Sequence, residues 1–187
     1  MSIRLVILGL LMECNRHPYE IRQTIQQRNW QHSFKLRDGS LYYAVNQLRE
    51  EGMIEATETI SYHGEHRPDK VVYRITVQGK EAFMDLLYRQ LEQPVYPEHP
   101  MFVAMPFVRH GDLTILEEKF EKQLHQCEAR IEQLQKLIQI KKDHIPQGSM
   151  RMINGMLKFS LTEREWLQDV LQDATTGQLI RGVERDL

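Results

Sequence analysis

Tyr42, Tyr43, Asn46 and Gln47 fall within two turns of one another in the stretch RDGSLYYAVNQLREEGMIEA, residues 37–56. The chemistry open to them is recognition rather than catalysis. An Asn or Gln amide presents a donor beside an acceptor, which matches the major-groove edge of adenine, and a tyrosine can reach a phosphate or a thymine methyl. Lys35, Arg37 and Ser40 precede them, at a helix start whose backbone N–H groups and dipole also attract phosphate. Arg67 and Lys70 lie farther on, placed to touch a DNA backbone or an adjacent minor groove. These nine residues form the candidate DNA-binding set.

Other chemistry has weaker support. HGEH at 63–66 holds two histidines three apart around Glu65, but no third and fourth ligand follow at regular spacing, so a polar loop tip is the plainer reading. Cys14 and His17 could imitate a nucleophile and its base. No orienting acid accompanies them, and a buried thiol at the end of an apolar helix is expected instead. The chain has no glycine-rich phosphate loop and no Gly-x-Ser-x-Gly elbow. No catalytic residue, metal or cofactor is expected.

The elements that must position the candidate set follow from periodicity. At about 100° per residue, Leu41, Ala44, Val45 and Leu48 form one buried stripe, leaving Tyr43, Asn46, Gln47 and Glu50 opposite and Tyr42 at the edge. Asp38 suits the N-cap of this helix, and Gly52 its C-terminal left-handed residue. Before it, Ile3 to about Cys14 reads as a first helix. A second runs from about Pro18 to Arg28 with Tyr19, Ile21 and Ile25 inward, and Trp30, Phe34 and Leu36 anchor the polar connection that follows. After it, ATETISY and KVVYRIT alternate like strands around the loop HGEHRPD, and Thr76 opens a helix to about Gln90. Three helices, a hairpin and a further helix describe a winged helix-turn-helix domain, and its third helix would enter a major groove.

Prolines at 94, 97, 100 and 106 mark a boundary between a first domain, 1–93, and a second, 94–187. In the second, Asp112 to about Lys142 is a long helical run with Phe120, Leu124, Cys127, Ile131, Leu134 and Ile138 at coiled-coil spacing. Ile145 to Gly148 breaks it, and Ser149 to about Ala174 forms a second helix. Met150, Met156, Phe159 and Leu161 remain on its outer faces, so a second copy of the chain is expected to cover part of this surface. The tail from Thr175 reads as loosely held. Met101, Phe102, Met105 and Phe107 cluster at the junction; with Trp166 they either line a pocket for a small effector or pack as plain interdomain core.

Composition bounds the rest. The chain has 187 residues, 41% hydrophobic and 27% charged, an ordinary balance for a folded protein. Its net charge of −2 gives no global attraction to nucleic acid. The window from Arg28 to Arg49, however, holds Arg28, Lys35, Arg37 and Arg49 against Asp38 alone, a local positive patch. No apolar run approaches the roughly 20 residues of a membrane span, and Ile3 to Met12 is too short and lacks a small-residue cleavage site. With two distant cysteines, a cytoplasmic protein with reduced thiols is expected.

The segments VILGLL (6–11), HPYEI (17–21), GSLYYAVNQLREEGMI (39–54) and VYRITVQGKEAF (72–83) occur in an order that resembles the PadR family of bacterial transcriptional regulators. The second half is similar in length and layout to the α-helical dimerisation domain of the longer subfamily. The resemblance implies a homodimeric winged-helix protein, usually a repressor, on a palindromic operator in double-stranded DNA. It also implies release from DNA by a small aromatic or other xenobiotic ligand, and it matches Tyr42 to the tyrosine of the family's Gly-Ser-Leu-Tyr segment. The fold class expected is mainly α with a small antiparallel β-hairpin. A rival reading from the near-neutral first half is a protein-interaction adaptor without specific DNA binding. Another is a small-molecule-binding protein whose DNA contact is secondary.

Overall fold

A computed structural model describes residues 3–28, 30, 38–60, 70–96 and 98–181; for residues 38, 58–60 and 70 the backbone alone is described. The fold is mainly helical with one two-stranded antiparallel hairpin. The chain divides into two compact units, Met1–Tyr96 and Pro97–Leu187.

The first unit is built from α1 (Ile3–Glu13), α2 (Pro18–Gln27), α3 (Asp38–Glu50), β1 (Ile54–Ile60), β2 (Lys70–Ile75) and α4 (Val77–Leu91). Helix α2 starts at Pro18, whose missing N–H costs nothing there. A capping box at His17 and Glu20 satisfies two further donors. The core gathers Ile7, Leu8, Leu10 and Leu11 of α1, Ile21 and Ile25 of α2, and Leu41, Ala44, Val45 and Leu48 of α3, closed by Ile54 and Tyr73 of the hairpin. Two expectations change here. Tyr19 is exposed rather than inward, because α2 buries the stripe Pro18, Ile21, Thr24 and Ile25. Cys14 is exposed rather than buried, because α1 ends at Glu13 and the thiol stands past its apolar face. Trp30 is half-buried against the core and lies 5.0 Å from the Arg28 guanidinium; Phe34 and Leu36 lie outside the described residues.

In the first unit, glycine is required at two of the described positions. Gly52 takes φ +72° and ends α3, its N–H donating to the Arg49 carbonyl at 3.0 Å. Gly79 lies so close to the strand entry that a Cβ on it would stand 2.0 Å from the Met53 carbonyl oxygen. Thr76 locks the same junction. Its hydroxyl accepts from the Gly79 N–H at 3.0 Å and donates to the Gly52 carbonyl at 2.8 Å.

Strand β1 begins at Ile54, two residues before the alternating stretch, and pairs with β2 from Ile54↔Ile75 to Ile60↔Lys70 with a shift between Ala56 and Glu58. Beyond the hairpin, Arg16 pairs with Tyr73 through two main-chain bonds of 3.1 and 3.0 Å. The loop HGEHRPD lies outside the described residues.

In the second unit, a short 3-10 helix (Met105–His110) leads to α5 (Leu113–Lys141) and α6 (Gln147–Thr175), which pack as an antiparallel hairpin. Asp112 caps α5 by accepting from the Ile115 N–H at 3.1 Å. The seam buries Phe120, Cys127 and Ile131 of α5 against Met150, Ile153, Ser160, Leu167, Val170 and Ala174 of α6. Met150 and Leu161 therefore do not remain on outer faces: Met150 is buried, and Leu161 packs against Cys127, Ile131 and Leu167. The start of the tail is also held. Gly177 at φ +72° turns the chain into a 3-10 helix, Gln178–Ile180, and Leu179 packs on the Phe120, Val170 and Ala174 cluster. Residues 182–187 lie outside the described set. Among the described residues, no helix is long and apolar enough to cross a membrane.

Candidate nucleic-acid interface

Helix α3 divides its surface cleanly. Leu41, Ala44, Val45 and Leu48 are sunk in the core, while Tyr43 is 64% exposed and Tyr42 43% exposed. Ser40 and Asn46 are also exposed, and Gln47 is half-exposed. The four recognition candidates thus share the free side of one helix. A helix of this length has no reason to hold that side fixed by packing, yet part of it is fixed by hydrogen bonding. The Gln47 Nε2 donates to the Tyr43 hydroxyl at 2.8 Å, the i,i+4 geometry that brings side chains together on a helix.

Helix α2 repeats the device. Gln23 Nε2 donates to the Tyr19 hydroxyl at 3.2 Å, and both side chains are exposed. In the sequence, the same Tyr-x-x-x-Gln spacing stands at 19–23 and at 43–47, and that repeat is the signal by which Tyr19 and Gln23 could have joined the candidate set.

Lys35, Arg37 and Arg67 lie outside the described residues. Lys70 opens β2, with its side chain outside the described set. Three ion pairs hold the frame of this surface. Glu13 at the end of α1 accepts from Arg28 at 2.7 Å and from Arg16 at 2.9 Å. The Arg28 hydrogen bond, with the Arg28 and Arg16 charges, holds the Glu13 carboxyl below its usual range although burial pulls the other way. Arg4 of α1 forms a forked pair with Glu51 at the end of α3, with one arm at 2.9 Å.

The second cluster lies wholly within the second unit. Phe102 and Trp166 meet edge to face at 5.2 Å, and His99, which sequence reasoning missed, meets Trp166 at 5.0 Å. His99 Nδ1 accepts from the Met101 N–H at 3.2 Å, so its Nε2 carries the hydrogen directed at Glu163, 3.3 Å away. Met105 packs with Trp166 on the Phe120, Val170 and Ala174 cluster. Phe107 does not join them: it is 67% exposed, because the 3-10 helix turns it out while Met105 and Val108 face in. Of the four effector candidates, Phe102, Met105 and Trp166 are brought together and Phe107 is not.

Residues 7–85 match the family model described as the transcriptional regulator PadR-like family. An uncharacterised Lysinibacillus sphaericus protein is 33% identical over 84 residues, which are 44% of this chain and 72% of that protein. Among solved structures, Bacillus subtilis PadR in complex with operator DNA is similar with a TM-score of 0.76 at 21% identity, covering 91% of this chain and 98% of that one. The same protein in complex with p-coumaric acid gives 0.72 at 20% identity, covering 92% and 98%. At these identities the structural likeness is one of fold.

Proposed function

The chain belongs to the transcriptional regulator PadR-like family, and we propose that within it the protein is a homodimeric repressor which reads a palindromic operator with α3 and leaves it on binding a small aromatic effector. The observation that carries the reading is the divided surface of α3, with Leu41, Ala44, Val45 and Leu48 buried and Tyr42, Tyr43 and Asn46 free. A free helix face bearing amides and tyrosines, beside a hairpin wing, is what a major groove requires.

Asn46 and Gln47 bond base edges. Tyr42 and Tyr43 contact bases or phosphate, and Lys35, Arg37 and Ser40 hold phosphate at the α3 start. Arg67 and Lys70 touch the backbone from the wing, and Tyr19 and Gln23 reach it from α2. The unit Met1–Tyr96 carries this work, and the α5–α6 hairpin brings two copies together. Two half-sites would then lie about 34–36 Å apart or a multiple of it.

Support for the effector is the edge-to-face pair Phe102 and Trp166, with Met105 beside it, an apolar surface suited to an aromatic ring. Such a ligand releases DNA only if it binds the DNA-free arrangement more tightly. Bacillus subtilis PadR, of the same fold, is captured with operator DNA and with p-coumaric acid.

An anisotropy titration against the chain's own upstream region, with scrambled DNA as the control, tests the reading. Preference for the upstream region is expected, and equal affinity for both would sink it. A stable protein partner captured without any DNA binding would favour the adaptor reading instead.

A further inference from the structure

His99 is tied into the second unit through both ring nitrogens. Its Nδ1 accepts from the Met101 N–H at 3.2 Å, and its Nε2 faces the Glu163 carboxylate at 3.3 Å. The ring meets Trp166 edge-on at 5.0 Å and Phe102 at 5.6 Å. A main-chain bond from the Phe102 N–H to the His99 carbonyl, 2.9 Å long, closes the same turn. The turn thus seats Phe102 on Trp166, and a titratable ring holds it shut.

The two nitrogens answer a proton in opposite ways. An imidazole that accepts at Nδ1 carries its single hydrogen on Nε2, so a second proton can go only to Nδ1. That sets an N–H donor against the Met101 N–H donor, and an attraction becomes a repulsion. At Nε2 the new charge strengthens the bond to Glu163. Glu163 is itself fixed: its other oxygen accepts from Arg130 of α5, whose Nε donates to the Ser160 hydroxyl. The carboxylate therefore keeps the ring, and the main chain gives way. Among the described residues, the charged groups placed against the ring are Glu163 of α6 and, behind it, Arg130 of α5. Glu98, on the ring's own segment, is exposed.

We propose that His99 is a proton-operated latch: when its ring gains a proton, the 99–102 turn opens and Phe102 leaves Trp166. Histidine is the side chain whose charge ordinarily changes between about pH 5 and 8, so the latch would work in that range. The ring pair is the surface assigned above to an aromatic effector, and on that reading acid should weaken effector capture. That consequence rests on the effector reading; the latch itself does not. The test uses no ligand, so either can fail alone.

Nuclear magnetic resonance of the full chain, taken from about pH 8 to about pH 5, reads the latch directly. With His99 neutral, the Phe102 and Trp166 rings should give a nuclear Overhauser signal, and the Met101 amide should be protected from exchange. As the His99 ring protons report its charging, the ring signal should vanish. The Met101 protection factor should fall roughly tenfold, about the worth of one hydrogen bond. Both changes should share the midpoint of the His99 ring. In His99→Asn the side-chain oxygen can accept the Met101 N–H at any pH, so neither change should occur. A ring pair that survives the charging of His99 overturns the proposal, and so does a His99 ring that stays neutral throughout. Loss of the ring pair in His99→Asn in step with the wild type overturns it as well. If His99→Asn does not fold, the wild-type titration decides alone: a midpoint that departs from that of the His99 ring belongs to another group and overturns the latch.

Discussion

The Gln47 amide donates to the Tyr43 hydroxyl at 2.8 Å, one turn apart on the open side of α3. The bond spends one of the two amide hydrogens and leaves the carbonyl oxygen and the second hydrogen outward. In the proposed reading it also orients the amide before DNA arrives, which would lower the ordering cost of a paired contact to a base.

Replacing Asn46 or Gln47 by alanine should therefore cost about 1–3 kcal/mol at one base pair of the operator while leaving affinity for scrambled DNA unchanged. Tyr43→Phe, which removes only the hydroxyl that orients Gln47, should reproduce part of the Gln47→Ala loss and add little to it in the double variant. Anisotropy titrations on operators changed one base pair at a time read both effects. Additive losses would show that the bond does not prepare Gln47.

Phosphate contacts should separate by charge. Lys35→Ala should weaken binding to all DNA and flatten the slope of log affinity against log salt by about one unit. Tyr19→Phe should weaken all DNA as well but leave the slope alone, since a hydroxyl releases no counterion. Titrations between low and moderate salt distinguish the two, and a changed slope for Tyr19→Phe would remove Tyr19 from this role.

Gly79→Ala should destabilise the first unit by roughly 3 kcal/mol, because the new methyl would stand against the Met53 carbonyl and the backbone itself must yield. Gly39→Ala, at the open start of α3 where a Cβ would meet nothing within 4 Å, serves as the control and should leave the thermal midpoint unchanged or raised. Calorimetry of both variants checks the contrast.

Stability should also fall in acid. The Glu13 carboxyl is held low in the folded chain by Arg28 and Arg16, so its contribution is fully present above the ordinary carboxylate value of 4.5. It drains as pH falls from there through the lowered folded value. Glu13 is well exposed, which keeps the effect small. Glu13→Gln should be less stable than the wild type at pH 7 and should close the gap as the pH is taken below 4.5. A gap that persists in acid would mean that the carboxylate is not what matters.

The fold reads from the sequence where apolar spacing is long and regular. The stripe of Leu41, Ala44, Val45 and Leu48 is enough to turn α3 the right way round, and the change to alternation at KVVYRIT marks the hairpin. Shorter or edge features read poorly. Tyr19 follows Pro18 at the head of a ten-residue helix, where too few turns exist to fix the phase. Cys14 lies one residue past a helix end, where periodicity no longer applies. Met150 and Leu161 belong to a helix with two apolar stripes, so a single-stripe reading places them outside. His99 is a lone histidine among prolines, and its place against Trp166 and Glu163 depends on a fold no local pattern encodes. The Gln47–Tyr43 bond, by contrast, was available from spacing alone.

The two main-chain bonds between Arg16 and Tyr73 have a mechanical meaning. They rivet the hairpin to the turn joining α1 and α2, so the wing cannot swing as an independent flap. Whatever tilts β2 must drag the root of α2 with it, so a push on the strand is felt at the helix as on a single stiff jaw.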